Sequence, residues 1–152
     1  MDQNKEQMET IFGPVGILAR HLSQYEPRPG QQEMAKAIAT LLGQERKGEK
    51  LLATERQNAQ AACLVVEAET GLGKTLAYLV PAALSGRKVV LSTNTRNLQD
   101  QILTSEIPFI QQYISPGIKA MCVKGRQNYL CLYRWHQLVA KGGQQAFFPV
   151  QN

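Results

Sequence analysis

Nowhere in the 152 residues does an uninterrupted apolar run approach the roughly 18 that a membrane-spanning helix requires, which excludes an integral helical membrane protein. The first residues, MDQNKEQMET, lack the apolar core of a secretory signal, so the sequence predicts a cytoplasmic protein. Cysteine is scarce: three residues, Cys63, Cys122 and Cys131, odd in number and scattered, do not form a disulfide framework. Free or metal-binding thiols in a reducing compartment are the expectation. Internal repeats and low-complexity segments are also missing. With 43% hydrophobic and 19% charged residues, the chain has the make-up of an ordinary folded domain and not of a disordered one. The net charge of +5 permits an anionic partner such as nucleic acid, but so does the charge of many proteins that never meet one.

Apolar periodicity sets out the organisation. Residues 1–10 are polar and read as a flexible N-terminus. A short helix is predicted over 17–23, a Pro-punctuated turn at YEPRPGQ, and an amphipathic helix over 31–44 from the spacing of Met34, Ile38, Leu41 and Leu42. The charged, amide-rich stretch 45–60 reads as a surface excursion. Three short apolar runs, 62–67 (ACLVVE), 88–92 (KVVLS) and 118–123, have the β-branched character of buried parallel strands. They alternate with helices predicted over 74–84, after Thr95 with Leu98 and Ile102 on one side, and over 127–140. Strand and helix in alternation predict an α/β fold with a parallel sheet. Cys63 and Cys122 fall inside predicted strands and read most simply as small buried hydrophobes.

The strongest local signal is AETGLGKT: Ala68, Glu69, Thr70, Gly71, Leu72, Gly73, Lys74 and Thr75. It fits the relaxed phosphate-binding pattern [AG]-x-x-x-x-G-K-[ST] between a predicted strand and a predicted helix. Gly71 and Gly73 let the backbone bend so that successive N–H groups face a phosphate, and the helix start adds its positive dipole end. Lys74 can reach the β- and γ-phosphates of ATP, and Thr75 can offer its hydroxyl to Mg²⁺. These two are the candidate catalytic residues. The competing reading is a glycine-rich turn with an incidental lysine.

Around this loop lie YEPRPGQQEMA from Tyr25, LSTNTRNLQDQIL from Leu91 and VKGRQNYLCLYR from Val123. Together with EAETGLGKTLAYLVPAAL, and in this order, they resemble the N-terminal quarter of iron–sulfur DNA helicases of the DinG/XPD type, members of superfamily 2. The resemblance covers residues 11–134. It implies a partial RecA-like nucleotide-binding domain over 11–124 and the start of an iron–sulfur insertion over 125–152. It also implies that Gln31, with Gln32 as the alternative, hydrogen-bonds the adenine edge, for which an amide supplies both donor and acceptor. Thr93, Asn94 and Thr95 would touch the backbone of single-stranded DNA, weakly and without regard to sequence. A plain helix cap by Thr93 or Thr95 is the alternative, and the two roles are compatible. Cys131 would be the first of four ligands to a [4Fe–4S] cluster.

Two features depart from the family pattern: Glu69 stands where many relatives carry a third glycine, and the stretch over 46–61 is longer than the usual link. A cluster needs about four thiolates and no cysteine follows Cys131, so these residues alone cannot complete one. A DEAH-like acidic box and a second motor lobe, both needed for turnover, are not encoded in the 152 residues either. The expected function is therefore the ATP-binding front of such a helicase, a truncated or partial reading frame or half of a split protein whose partner is the remainder. The alternative is a small nucleotide-binding regulatory or interaction module without turnover. A P-loop kinase or transporter ATPase fits the Arg-Pro-Gly-Gln block and KGRQNYLC less well.

Overall fold

The structure is a computed structural model, and it describes residues 3–43 and 62–140. The excursion read over 45–60 and the tail from 141 lie outside the described residues. The chain divides into two compact units, residues 1–120 and 121–152.

The first unit begins with helix α1 (Gln3–Phe12). Residues 1–10 are polar on average, yet 3–10 lie in this helix. Met8, Ile11 and Phe12, spaced i, i+3 and i+4, share one helical face and are buried in the core. Gly13 ends the helix with its N–H on the Glu9 carbonyl at 2.9 Å, and a Cβ there would lie 2.5 Å from that same oxygen. Helix α2 (Ile17–His21) adds the buried Leu18. Helix α3 (Pro29–Gly43) starts on a proline, whose missing N–H costs nothing at a first helical position. It presents Gln31, Ala35 and Ala39 inward, and the two alanines let it lie close against α1 and α4 (Lys74–Leu84). Helix α4 contributes Ala77, Leu79, Val80 and Pro81 to the same core.

Helices α5 (Arg96–Gln101) and α6 (Ile107–Tyr113) are joined by a π-helical stretch, Ile102–Glu106. The widened turn runs up to Pro108, whose missing N–H leaves the Thr104 carbonyl without its usual donor. Ile102, Ile107 and Ile110 point into the core, and the His21 ring stacks on Tyr113 with centroids 3.9 Å apart. Each large apolar side chain buried here stabilises the fold by about 1.5–3 kcal/mol.

The α/β expectation is overturned: among the described residues none lies in a β-strand, and there is no parallel sheet. The runs read as strands, 62–67, 88–92 and 118–123, have no regular secondary structure, and Val65 and Val90 are 88% and 91% exposed. β-branched composition records a preference for a covered, pleated surface, but a strand exists only where a neighbour accepts and donates its ladder bonds. Here helix-on-helix packing supplies the core. Cys63 is consequently exposed and Cys122 half-buried, so the reading of both as strand-core hydrophobes is also corrected.

In the second unit a 3₁₀ turn, Arg126–Asn128, precedes helix α7 (Leu132–Ala140), shorter than the helix expected from residue 127. The Gly125 carbonyl accepts from the Asn128 N–H (2.9 Å) and from its side-chain amide (3.1 Å), and the Lys124 N–H donates to the Tyr129 hydroxyl (2.9 Å). Leu132, Tyr133 and Val139 of α7 are exposed, and no residue of the helix is buried.

Candidate nucleotide-binding site

The start of α4 carries the glycine loop. Gly71 and Gly73 both have φ of +83°, the left-handed region that a side chain disfavours. Gly73 is the N-cap of α4 and has no side chain to satisfy the helix's first N–H groups, which are left for another acceptor. The Lys74 ammonium curls back over the loop, donating to the carbonyls of Ala68 (2.9 Å) and Glu69 (2.6 Å). Thr70 and the Glu69 side chain are exposed, and Ala68 and Leu72 are half-buried. Thr75, half-buried, hydrogen-bonds Tyr78, whose hydroxyl titrates above its ordinary 10.0. Burial of Tyr78 is the main cause; the Thr75 bond opposes the rise and the Glu106 carboxylate adds to it.

Helix α3 begins against this loop. A Cβ on Gly30 would sit 3.4 Å from the Leu72 side chain, so the start of α3 and the loop are in van der Waals reach. Gln31, only 3% exposed, donates its amide to the Gly73 carbonyl (3.0 Å) and accepts from the Tyr25 hydroxyl (3.2 Å). The one Tyr25 hydroxyl hydrogen is shared with the carbonyl of Phe12 at the end of α1, the shorter of its two contacts (2.7 Å), and the same carbonyl takes the Gln32 amide (3.0 Å). Of the two glutamines, Gln31 therefore faces the glycine loop and Gln32 faces α1. An open cleft of about 480 Å³ lies beside the loop, walled by Tyr25, Arg28, Gln31, Gly71, Leu72 and Gly73 among others. Arg28 is held loosely by Glu26 at 3.8 Å, with both side chains largely in solvent.

Sequence reasoning did not single out Tyr25 or Arg28. Both stand in the YEPRPGQ block, and an aromatic with a polar tip six residues before a glutamine in the first turn of a helix is the signal that could have found Tyr25.

The DNA candidates lie before α5. Thr95 is its N-cap and accepts from the Leu98 N–H at 3.4 Å, and the Thr93 hydroxyl donates to the Thr95 carbonyl at 3.4 Å. Asn94 and Thr95 are exposed and Thr93 is half-buried. In the second unit, Cys131 is exposed, and its carbonyl accepts the Trp135 N–H at the first turn of α7. Among the described residues, no three histidine, cysteine, aspartate or glutamate side chains gather into a metal-holding group. With only three thiols in all, the residues present do not fit a complete four-thiolate cluster. No described helix is long and apolar enough to cross a membrane.

Comparison with known proteins supplies the lineage. The chain is 38% identical over 138 residues to the ATP-dependent DNA helicase YoaA of Haemophilus influenzae, covering 91% of this chain and 19% of that protein. It is 37% identical to the YoaA of Escherichia coli, over 95% of this chain and 20% of that one. To the 3'-5' exonuclease DinG of Bacillus subtilis it is 34% identical, over 84% of this chain and 12% of that protein. The chain thus spans a fifth or less of the length of these relatives. No solved structure matches. Residues 28–139, which include the glycine loop and the start of α3, match the DEAD/DEAH box helicase family, and the chain belongs to that family.

Proposed function

We propose that this chain is the ATP-binding portion of a DinG/YoaA-like DNA helicase, taking ATP·Mg²⁺ at the glycine loop. One observation carries the reading: Gly71 and Gly73 hold left-handed conformations at the uncapped start of α4, with the Lys74 ammonium folded onto the loop carbonyls of Ala68 and Glu69. A triphosphate entering the loop offers Lys74 better partners than neutral carbonyls, because charge-assisted bonds are about twice as strong. Free N–H groups at the start of α4 face the same anion. The Thr75 hydroxyl supplies an oxygen ligand of the kind Mg²⁺ prefers, and the cleft beside Tyr25 and Arg28 has the volume to receive the nucleoside.

Single-stranded DNA contacts Thr93, Asn94 and Thr95 through its phosphates, without base preference. Cys131 serves an iron–sulfur cluster only where further thiolates join it. Hydrolysis and unwinding draw on an acidic Mg²⁺-holding pair and arginines that these residues do not supply.

Calorimetric titration with ATP·Mg²⁺ tests the reading. Binding by the wild-type chain, with most of the affinity lost in Lys74→Ala, is the expected result. Equal binding by both chains, or none by either, overturns it.

A further inference from the structure

Glu69 puts a carboxylate inside the glycine loop, and its surroundings leave that charge in place. The side chain is exposed, and the Lys74 ammonium does not take it: Lys74 donates to the backbone carbonyls of Ala68 (2.9 Å) and Glu69 (2.6 Å). Among the described residues the ion pairs join Arg28 to Glu26 and Lys36 to Glu9, and neither involves Glu69. Glu67, one residue before the loop and also exposed, adds a second carboxylate. A Cβ on Gly71 would lie 3.9 Å from the Arg28 guanidinium, so Arg28 flanks the loop as well, but it is shared with Glu26. Around the loop, Lys74 and Arg28 are thus set against Glu26, Glu67 and Glu69, two cations against three carboxylates. The glycines and the uncapped start of α4 offer a phosphate hydrogen bonds, while the side chains around them offer it no net positive charge.

Distance makes the consequence general. The Lys74 nitrogen, which a phosphate would meet, is 2.6 Å from the backbone oxygen of Glu69, and a glutamate side chain is shorter than the about 10 Å over which 0.1 M salt screens a charge. Whatever rotamer Glu69 adopts, its carboxylate repels a polyphosphate held by Lys74. That repulsion grows with the charge of the ligand, and bare ATP carries about twice the net charge of its Mg²⁺ complex.

We propose that Glu69 is a charge-selecting residue, which disfavours bare polyphosphates at the glycine loop and makes nucleotide binding depend on the cation that the nucleotide brings. The selector rests on the nucleotide-binding reading above but makes a separate demand. That reading needs only the glycines, Lys74 and Thr75. The selector requires that removing one carboxylate tightens binding, and most for the ligand with the most charge.

The test compares wild type with Glu69→Gln, which removes the charge and keeps the shape, and with Glu69→Asp, which keeps the charge. Glu6→Gln, an exposed carboxylate lost from α1, controls for net charge alone. Kd is measured by calorimetry for ATP with Mg²⁺ and for ATP with a chelator, each at about 0.05 M and about 1 M salt. In low salt Glu69→Gln should bind bare ATP about three- to tenfold more tightly, and the Mg²⁺ complex about two- to threefold. At high salt both gains should shrink below about twofold, because screening then acts within a few ångströms. Glu69→Asp and Glu6→Gln should both stay within about twofold of wild type in either salt. Unchanged constants in Glu69→Gln overturn the selector and leave the nucleotide-binding reading standing, as does a gain that survives high salt or is equal for the two forms of ATP. If none of the chains binds ATP in either form, the reading falls and the selector falls with it.

Discussion

Lys74 bonded to the carbonyls of Ala68 and Glu69 is a cation held in reserve by its own loop, and the neighbouring glycines show what that posture demands. Gly73 sits at φ +83° with no room for a methyl group, so Gly73→Ala forces both a left-handed alanine and a shift of Gln31. Strain of this kind costs of order 1–3 kcal/mol, and urea unfolding should show a loss of about that size. An alanine variant as stable as wild type would contradict the loop conformation. The two partly buried tyrosines make a prediction about pH. Tyr25 and Tyr78 both titrate above their ordinary 10.0, so the stability they carry is complete below pH 10 and falls as pH rises through their raised values. Thermal midpoints should be level up to about pH 10 and decline above it. Tyr25→Phe should decline less steeply there, and an identical slope would show that Tyr25 does not contribute.

Among the elements, helices were the most legible part of the chain. The spacing of Met34, Ile38, Leu41 and Leu42 announced α3, and the apolar run after Lys74 announced α4, both close to their observed bounds. Helix α1 was not legible, because its average polarity hides a stripe of only three residues. That stripe is nevertheless structural: Phe12→Ala should cost about 3–5 kcal/mol by chemical denaturation, and a loss under 1 kcal/mol would mean α1 is not part of the core. The expected sheet, not found among the described residues, failed for a different reason. Val65 and Val90 state a preference for burial, yet a strand is a property of two segments, and the sequence of one cannot report whether its neighbour is there. Much of the site was legible because it is local: AETGLGKT lies within one turn of the chain. The link from Gln31 to Gly73 spans 42 residues and could be seen only in three dimensions. At α5 the proposed DNA contact and the cap share Thr95. Any binding to single strands should therefore fall steeply with added salt and ignore base sequence, as fluorescence anisotropy across several oligonucleotides would report. A preferred sequence, or indifference to salt, would contradict it.

For the molecule as a whole, family membership and the short share of each relative's length frame what the 152 residues can do. Three thiols, with no metal-holding group among the described residues, predict a colourless protein. Absorption near about 400 nm with roughly four irons per chain would mean that chains share a cluster. The central claim is that the glycine loop, against which α3 begins, receives a nucleotide triphosphate. Amide hydrogen exchange mapped along the chain with and without ATP·Mg²⁺ tests it most directly, because it locates the binding as well as detecting it. Slowed exchange concentrated at residues 70–76 and at 28–32 is the predicted result; unchanged exchange there, or protection confined to other segments, would contradict the account.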